Sequence, residues 1–177
     1  NAYTVASGTY TLTGTRTMMG LRYTGSTGVN INLGNFNLET NAILMAVAGG
    51  STISSTGIGA LTTPTGGGNI YLTNNSNAFT ISAPIIDNGG AVGVVKYGSN
   101  NVTLSSTTSN FSGGVVLNGG TLTVTSDANL GAPSGSISVN SNSTLAFGTV
   151  TYVRNLILNN GAIAIFNGNT TIAGNVT

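Results

Sequence analysis

Val116-Leu117-Asn118-Gly119-Gly120-Thr121-Leu122-Thr123-Val124 reads as an apolar pair, a tight turn and an alternating strand. Asn-Gly is a strong turn signal because both residues tolerate positive φ, and in the strand that follows Leu122 and Val124 share one face while Thr121 and Thr123 share the other. The same phrase returns twice. Ile85-Ile86 leads into Asn88-Gly89-Gly90 and then Val92 and Val94, and Ile157-Leu158 leads into Asn159-Asn160-Gly161 and then Ile163 and Ile165. The three turns are about 30 and 41 residues apart, so the repeat is uneven.

Working outward, alternating runs fill the rest of the chain, among them Val29-Asn30-Ile31-Asn32-Leu33, Ser136-Ile137-Ser138-Val139-Asn140 and Ala162-Ile163-Ala164-Ile165-Phe166. In each, the large apolar side chains are expected to point one way and the Thr, Ser, Asn or Ala the other. No window of 12 residues keeps apolar positions at helical spacing without a breaker, and Gly occurs 27 times, so the chain is all-β. A β-sandwich and a β-solenoid both fit short strands separated by Gly and Asn turns. Unequal spacing between similar turns favours the solenoid, because a loop lengthens at one corner without disturbing stacked rungs. Rungs of roughly 20 to 24 residues give about eight rungs. Stacked about 4.8 Å apart, they form a rod of roughly 40 Å. Residues 1–177 then form a single solenoid segment.

Composition narrows the function. Only 4% of residues are charged and 40% are apolar, with Arg16, Arg22, Lys96 and Arg154 set against Glu39, Asp87 and Asp127 for a net charge of +1. Nucleic acid binding needs clustered Lys and Arg to displace counterions from phosphates, and no cluster exists. The longest apolar run, Ala42 to Ala48, is far short of a membrane-spanning helix, so no membrane span is expected in this segment. No signal peptide is visible at Asn1, which reads as mature or excised sequence.

From about Phe79 to Phe147 the chain resembles the passenger-associated repeat of bacterial autotransporter passengers and related giant secreted surface proteins. The resemblance is carried by three pieces in order. The first is Ile85-Ile86-Asp87-Asn88-Gly89-Gly90 with Val94-Val95-Lys96-Tyr97-Gly98. The second is Asn101-Val102-Thr103-Leu104-Ser105 with Ser109-Asn110-Phe111-Ser112-Gly113-Gly114. The third is Val116 to Val124 with Asn129-Leu130-Gly131. The first third of the chain, to about Thr65, departs from the pattern. The resemblance implies a right-handed parallel β-helix, export to the bacterial cell surface or beyond it, and no activity, since the family's repeat is a structural and secretion-assisting element.

The chemistry of the residues agrees with that implication. With no Cys and no His, soft-metal sites and the commonest general base are missing. Glycoside chemistry needs paired acids, whereas Glu39, Asp87 and Asp127 are 48 and 40 residues apart, about two rungs each, and read as solvated acids in turns. Lys96 as the base of a Ser-Lys pair is outweighed by a structural or surface role within the repeat. Gly66-Gly67-Gly68 is followed by no Lys-Ser or Lys-Thr and reads as a turn rather than a phosphate cradle. Calcium-binding solenoid turns need an aspartate in each, and these lack it. The six Asn-X-Ser/Thr sequons, at Asn74, Asn101, Asn110, Asn142, Asn169 and Asn175, occur about as often as chance allows. Tyr3, Tyr10, Tyr23, Tyr71, Tyr97 and Tyr152 would make a sugar-stacking platform only if they lined one face.

The expectation is therefore a non-catalytic extracellular scaffold with no catalytic, cofactor-binding or metal-binding residue. Its expected partners are neighbouring repeats or further copies stacked head to tail, with surface glycans as another partner. Neither terminus carries a visible cap in the sequence, so a self-assembling filament or surface layer is the alternative, and a carbohydrate-processing or carbohydrate-binding β-helix the second.

Overall fold

The computed structural model describes all residues, Asn1–Thr177, as a β-solenoid of eight rungs in which every strand pair is parallel. Parallel pairing throughout excludes a sandwich of hairpin-connected antiparallel strands. Sheet one takes the first strand of each rung: Ala2–Val5, Gly20–Gly25, Ala42–Val47, Gly68–Asn74, Val92–Tyr97, Val115–Leu117, Ile137–Val139 and Leu156–Leu158. Sheet two takes the second: Gly8–Thr11, Val29–Asn32, Ser51–Ser54, Phe79–Ile81, Val102–Leu104, Gly120–Val124, Ser143–Phe147 and Ile163–Phe166. The third side is less regular. It pairs Arg16–Met18, Leu38–Thr40 and Leu61–Thr62 at one end and Thr151–Tyr152 with Thr171–Ile172 at the other, with a short 3-10 turn, Asp127–Leu130, between them.

Register turns the alternation in the sequence into columns. Tyr10, Ile31, Ile53, Ile81, Leu104, Val124, Phe147 and Phe166 are successive partners along the inner face of sheet two. The column's middle members are all but inaccessible to solvent. Each fully buried side chain of this size contributes about 1.5–3 kcal/mol, so a rung is stabilised by the one it lies on. On the outer face the matching column is Thr9, Asn30, Thr52, Thr80, Thr103 and Thr123, β-branched or amide side chains that suit an exposed strand without any charge. This is how 4% charged residues suffice for the surface.

Rungs vary more than the sequence suggests. Tyr3 and Leu21 are partners 18 residues apart, whereas Ile43 and Leu72 are partners 29 residues apart. The extra length of that third rung sits outside the strands, in the glycine-rich chain between Ser54 and Gly68. Strands cannot absorb it because a slip of one residue would turn the inner set outward. Some glycines are fixed by this stacking. A Cβ on Gly67, at φ 81°, would lie 2.6 Å from the Ala91 carbonyl oxygen, so Gly66-Gly67-Gly68 is a corner where successive rungs touch backbone to backbone.

Two expectations need correction. The turns at Asn118 and Asn159 do occupy the same corner, between sheets one and two, but Asn88-Gly89-Gly90 lies at the corner that returns from the third side to sheet one. An apolar pair followed by Asn and Gly suits any corner, so the phrase does not say which. The run Ala162 to Phe166 is also inverted. Ala164 pairs with Leu145 and Phe166 with Phe147, whose rings stack 5.2 Å apart, while Ile163 and Ile165 point outward and are half exposed. Aligning Asn118-Gly119-Gly120 with Asn159-Asn160-Gly161 places the strand one residue out, and one residue exchanges the two faces.

Candidate functional site

The charged side chains are the first place to look for chemistry in a chain with so few. Glu39 lies in strand Leu38–Thr40 of the second rung, Asp87 follows Ile85 in the fourth, and Asp127 opens the 3-10 turn of the sixth. They are two rungs apart, as the sequence spacing suggests, and all lie on the third side. Each is engaged locally. Thr17 Oγ1 donates to Glu39 Oε2 at 2.6 Å, across one rung. No group of three or more acids comes together.

Asp87 is not the solvated turn acid that the sequence suggests. Its Oδ1 accepts from the backbone N–H groups of Val92 at 2.7 Å and Ser112 at 3.0 Å, and its Oδ2 accepts from the Ser112 hydroxyl at 2.7 Å. Burial pushes the carboxyl upward, but the bonds from Ser112 and Val92 outweigh it and hold the group below the usual carboxylate range. A depressed carboxyl contributes stability that is complete above its unfolded value, near pH 4, and is lost as pH falls through the lower folded value. Asp87→Asn is expected to cost about 1–2 kcal/mol at neutral pH. It should also flatten the acid limb of stability below about pH 4. Urea denaturation from pH 2 to 7 checks both, and an unchanged acid limb would assign no role to the charge.

Asp127 is likewise engaged, in the molecule's single ion pair, with Arg154. The guanidinium bonds both carboxylate oxygens, Nε to Oδ1 at 2.9 Å and Nη2 to Oδ2 at 3.0 Å. Its three remaining hydrogens are shared among the carbonyl oxygens of Asp127, Leu130, Gly131, Ala132 and Gly135, at 2.8–3.4 Å. These include the carbonyls that the short turn leaves without intrahelical partners. Arg154 is among the largest fully buried side chains. Reading the sequence alone missed this pair; its only signal there is that Arg154 and Asp127 are the sole charges after Lys96.

Lys96 is neither a surface residue nor beside a serine nucleophile. It occupies the inner column Leu21, Ile43, Leu72, Lys96, Leu117 and Val139, where every other member is aliphatic. Nζ turns to the corner and donates to the carbonyl oxygens of Gly98 at 2.7 Å and Gly119 at 2.6 Å, tying the fifth rung to the sixth. Burial lowers its pKa to about 8. At the same corner, one rung further on, Asn140 donates to Asn118 and Asn159 donates to Asn140, a side-chain ladder across three rungs.

The tyrosines do not share a face. Tyr23 and Tyr152 are buried, and the Tyr152 ring meets Phe147 edge-on at 4.4 Å. Tyr3 and Tyr10 belong to inner columns at the first rung and line a 260 Å³ opening with Leu12, Met18, Leu21 and Ile31. That opening lies in the interior of the first rung. Tyr71 and Tyr97 alone stand outward together, on sheet one, with ring centroids 6.4 Å apart.

No helix is long and apolar enough to cross a membrane. No protein-family model and no solved structure matches the chain. Over 155 residues it is 36% identical to the adhesin BmaC autotransporter of Brucella suis biovar 1 (strain 1330), an alignment that takes in 84% of this chain and 4% of that protein. The chain thus spans a small fraction of the length of the curated relative it matches.

Proposed function

We propose, from its likeness to a segment of an autotransporter adhesin, that this chain is a stretch of a bacterial surface passenger. In this reading it serves as a rigid extracellular rod that spaces or carries other parts of a much larger protein, without catalysis. The observation that carries the reading is the unbroken register of eight rungs, coupled to a similarity that covers 84% of the chain yet only 4% of the adhesin. A giant surface protein built from such stretches gains reach by adding rungs, each stabilised mainly by its neighbours.

The pieces that resemble the passenger-associated repeat support the same reading through what they do in the fold. Lys96, in Val94-Val95-Lys96-Tyr97-Gly98, fastens a corner to the next rung. Asn110-Phe111-Ser112-Gly113-Gly114 places Phe111 in the core and brings Ser112 to Asp87. Both are devices for stacking, and neither leaves a reactive group exposed. The low charge suits an exported surface whose polarity comes from Thr, Asn and Ser.

Small-angle X-ray scattering of the purified chain, paired with electron microscopy, tests the proposal. A monomeric rod of roughly 40 Å is expected from eight rungs at about 4.8 Å each. Uniform fibres of constant width would replace it with the self-assembling filament, in which copies stack head to tail.

A further inference from the structure

The outward face of sheet one holds an exposed aromatic pair and an unpaired arginine side chain for which the rod has no use. Ala2, Gly20 and Ala42 are in register on this face, and together with the aliphatic stem of Arg22 and with Leu44 they line a wholly apolar depression of about 250 Å³. The next residue in that outward column, beyond the depression, is Tyr71, the partner of Ala42. In the adjoining outward column Arg22, Leu44, Thr73 and Tyr97 follow one another, which sets Tyr97 beside Tyr71 with the rings tilted by 33°. Both rings are about two-fifths exposed, Tyr71 at 42% and Tyr97 at 40%.

We propose that this outward face binds an acidic oligosaccharide, with one sugar stacked on Tyr71 and Tyr97 and a carboxylate or sulfate of a neighbouring sugar held by Arg22. A pyranose ring presents C–H groups on its faces, which stack on exposed aromatic rings such as these, and hydroxyls at its rim. Charge decides the class of sugar. Arg22 is exposed and makes no hydrogen bond or ion pair within the chain, whereas Arg154 is tied to Asp127. Lys96 is buried, and Arg16 reaches Thr13. All three acids lie on the third side, so this face has a positive group with no negative one to balance it. A guanidinium free to make two parallel bonds selects a carboxylate or sulfate over a hydroxyl. Arg22 and Tyr71 are two rungs apart, about 10 Å along the axis, which asks for an oligosaccharide rather than a single sugar.

This inference goes beyond the rod and does not rest on it. Its test is titration calorimetry of the full 177-residue chain with tetragalacturonate and sialyllactose as acidic probes and maltotetraose and cellotetraose as neutral ones. At least one acidic probe is expected to bind about tenfold or more tighter than either neutral probe. Arg22→Gln should bring the acidic probe down to the neutral level, and Tyr71→Ala with Tyr97→Ala should abolish binding of both kinds. These side chains point outward, so circular dichroism melts of the variants should match the parent; if the double variant unfolds, Arg22→Gln alone decides. Absence of acidic-probe binding at millimolar concentration, equal affinity for neutral and acidic probes, or an unaffected Arg22→Gln would overturn the proposal. So would sedimentation showing a dimer that the tyrosine substitutions dissolve, since a second copy would then be the occupant. None of these failures touches the rod, which scattering tests separately.

Discussion

Arg154→Ala is expected to destabilise the C-terminal third of the rod by about 3–5 kcal/mol, the range for removing one partner of a buried ion pair. Two losses add. Asp127, with 19% of its side chain accessible, loses its bidentate partner, and five carbonyl oxygens around the Asp127–Leu130 turn lose their donor at once. Arg154→Lys should recover little, because one ammonium with three hydrogens cannot span both the carboxylate and that ring of carbonyls. Nearest-neighbour stacking makes the effect local: rungs seven and eight should open first while the earlier rungs keep their columns. Hydrogen exchange resolved by peptide is the measurement. Protection lost around Asp127–Gly135 and beyond, with Ile31 to Ile81 unaffected, is the expected pattern, whereas uniform loss along the chain would contradict local stacking.

Lys96 gives the second large effect and a pH signature. Lys96→Ala should cost about 2–4 kcal/mol, since two corner carbonyls go unpaired and a cavity opens between Leu72 and Leu117. Lys96→Met should cost about 1–2 kcal/mol less, because it fills the column and removes a buried ammonium. The pKa of about 8 lies below the unfolded value near 10.4. The unfolded chain therefore binds more protons between these values, and stability rises with pH from about 8 upward. A neutral amine still donates to both Gly98 and Gly119, so the bonds survive deprotonation. Above about pH 10 the buried phenols of Tyr23 and Tyr152, both pushed upward by burial, work in the opposite direction. Denaturation midpoints between pH 7.5 and 9.5 should climb for the parent and stay level for Lys96→Met. A level parent curve would mean that the ammonium is effectively solvated.

Both residues show how far the sequence carried. Lys96 stands in an alternating strand, Val92 to Tyr97, at a position that faces inward by parity, but a lysine at such a position reads as a surface residue until the corner it reaches is known. Arg154 and Asp127 are 27 residues apart, longer than most rungs here, because their pairing runs diagonally between the third side of the sixth rung and the end of the seventh. No periodicity in the sequence marks a diagonal. The proposed binding face is similar: Arg22, Tyr71 and Tyr97 are scattered residues until register sets them on one outward face of sheet one.

By itself the sequence determined that the chain is all-β, that stacked rungs number about eight, and that Val29, Ile31, Leu33, Leu122 and Val124 face the core. Those follow from alternation of apolar and small polar residues, which is a local property of the chain and is preserved in any parallel stack. Tertiary structure alone decided which corner each Asn-Gly turn occupies, why Ile163 and Ile165 face outward, and where the few charges meet. Those depend on the length of the intervening loops, and a change of one residue there exchanges the two faces of a strand.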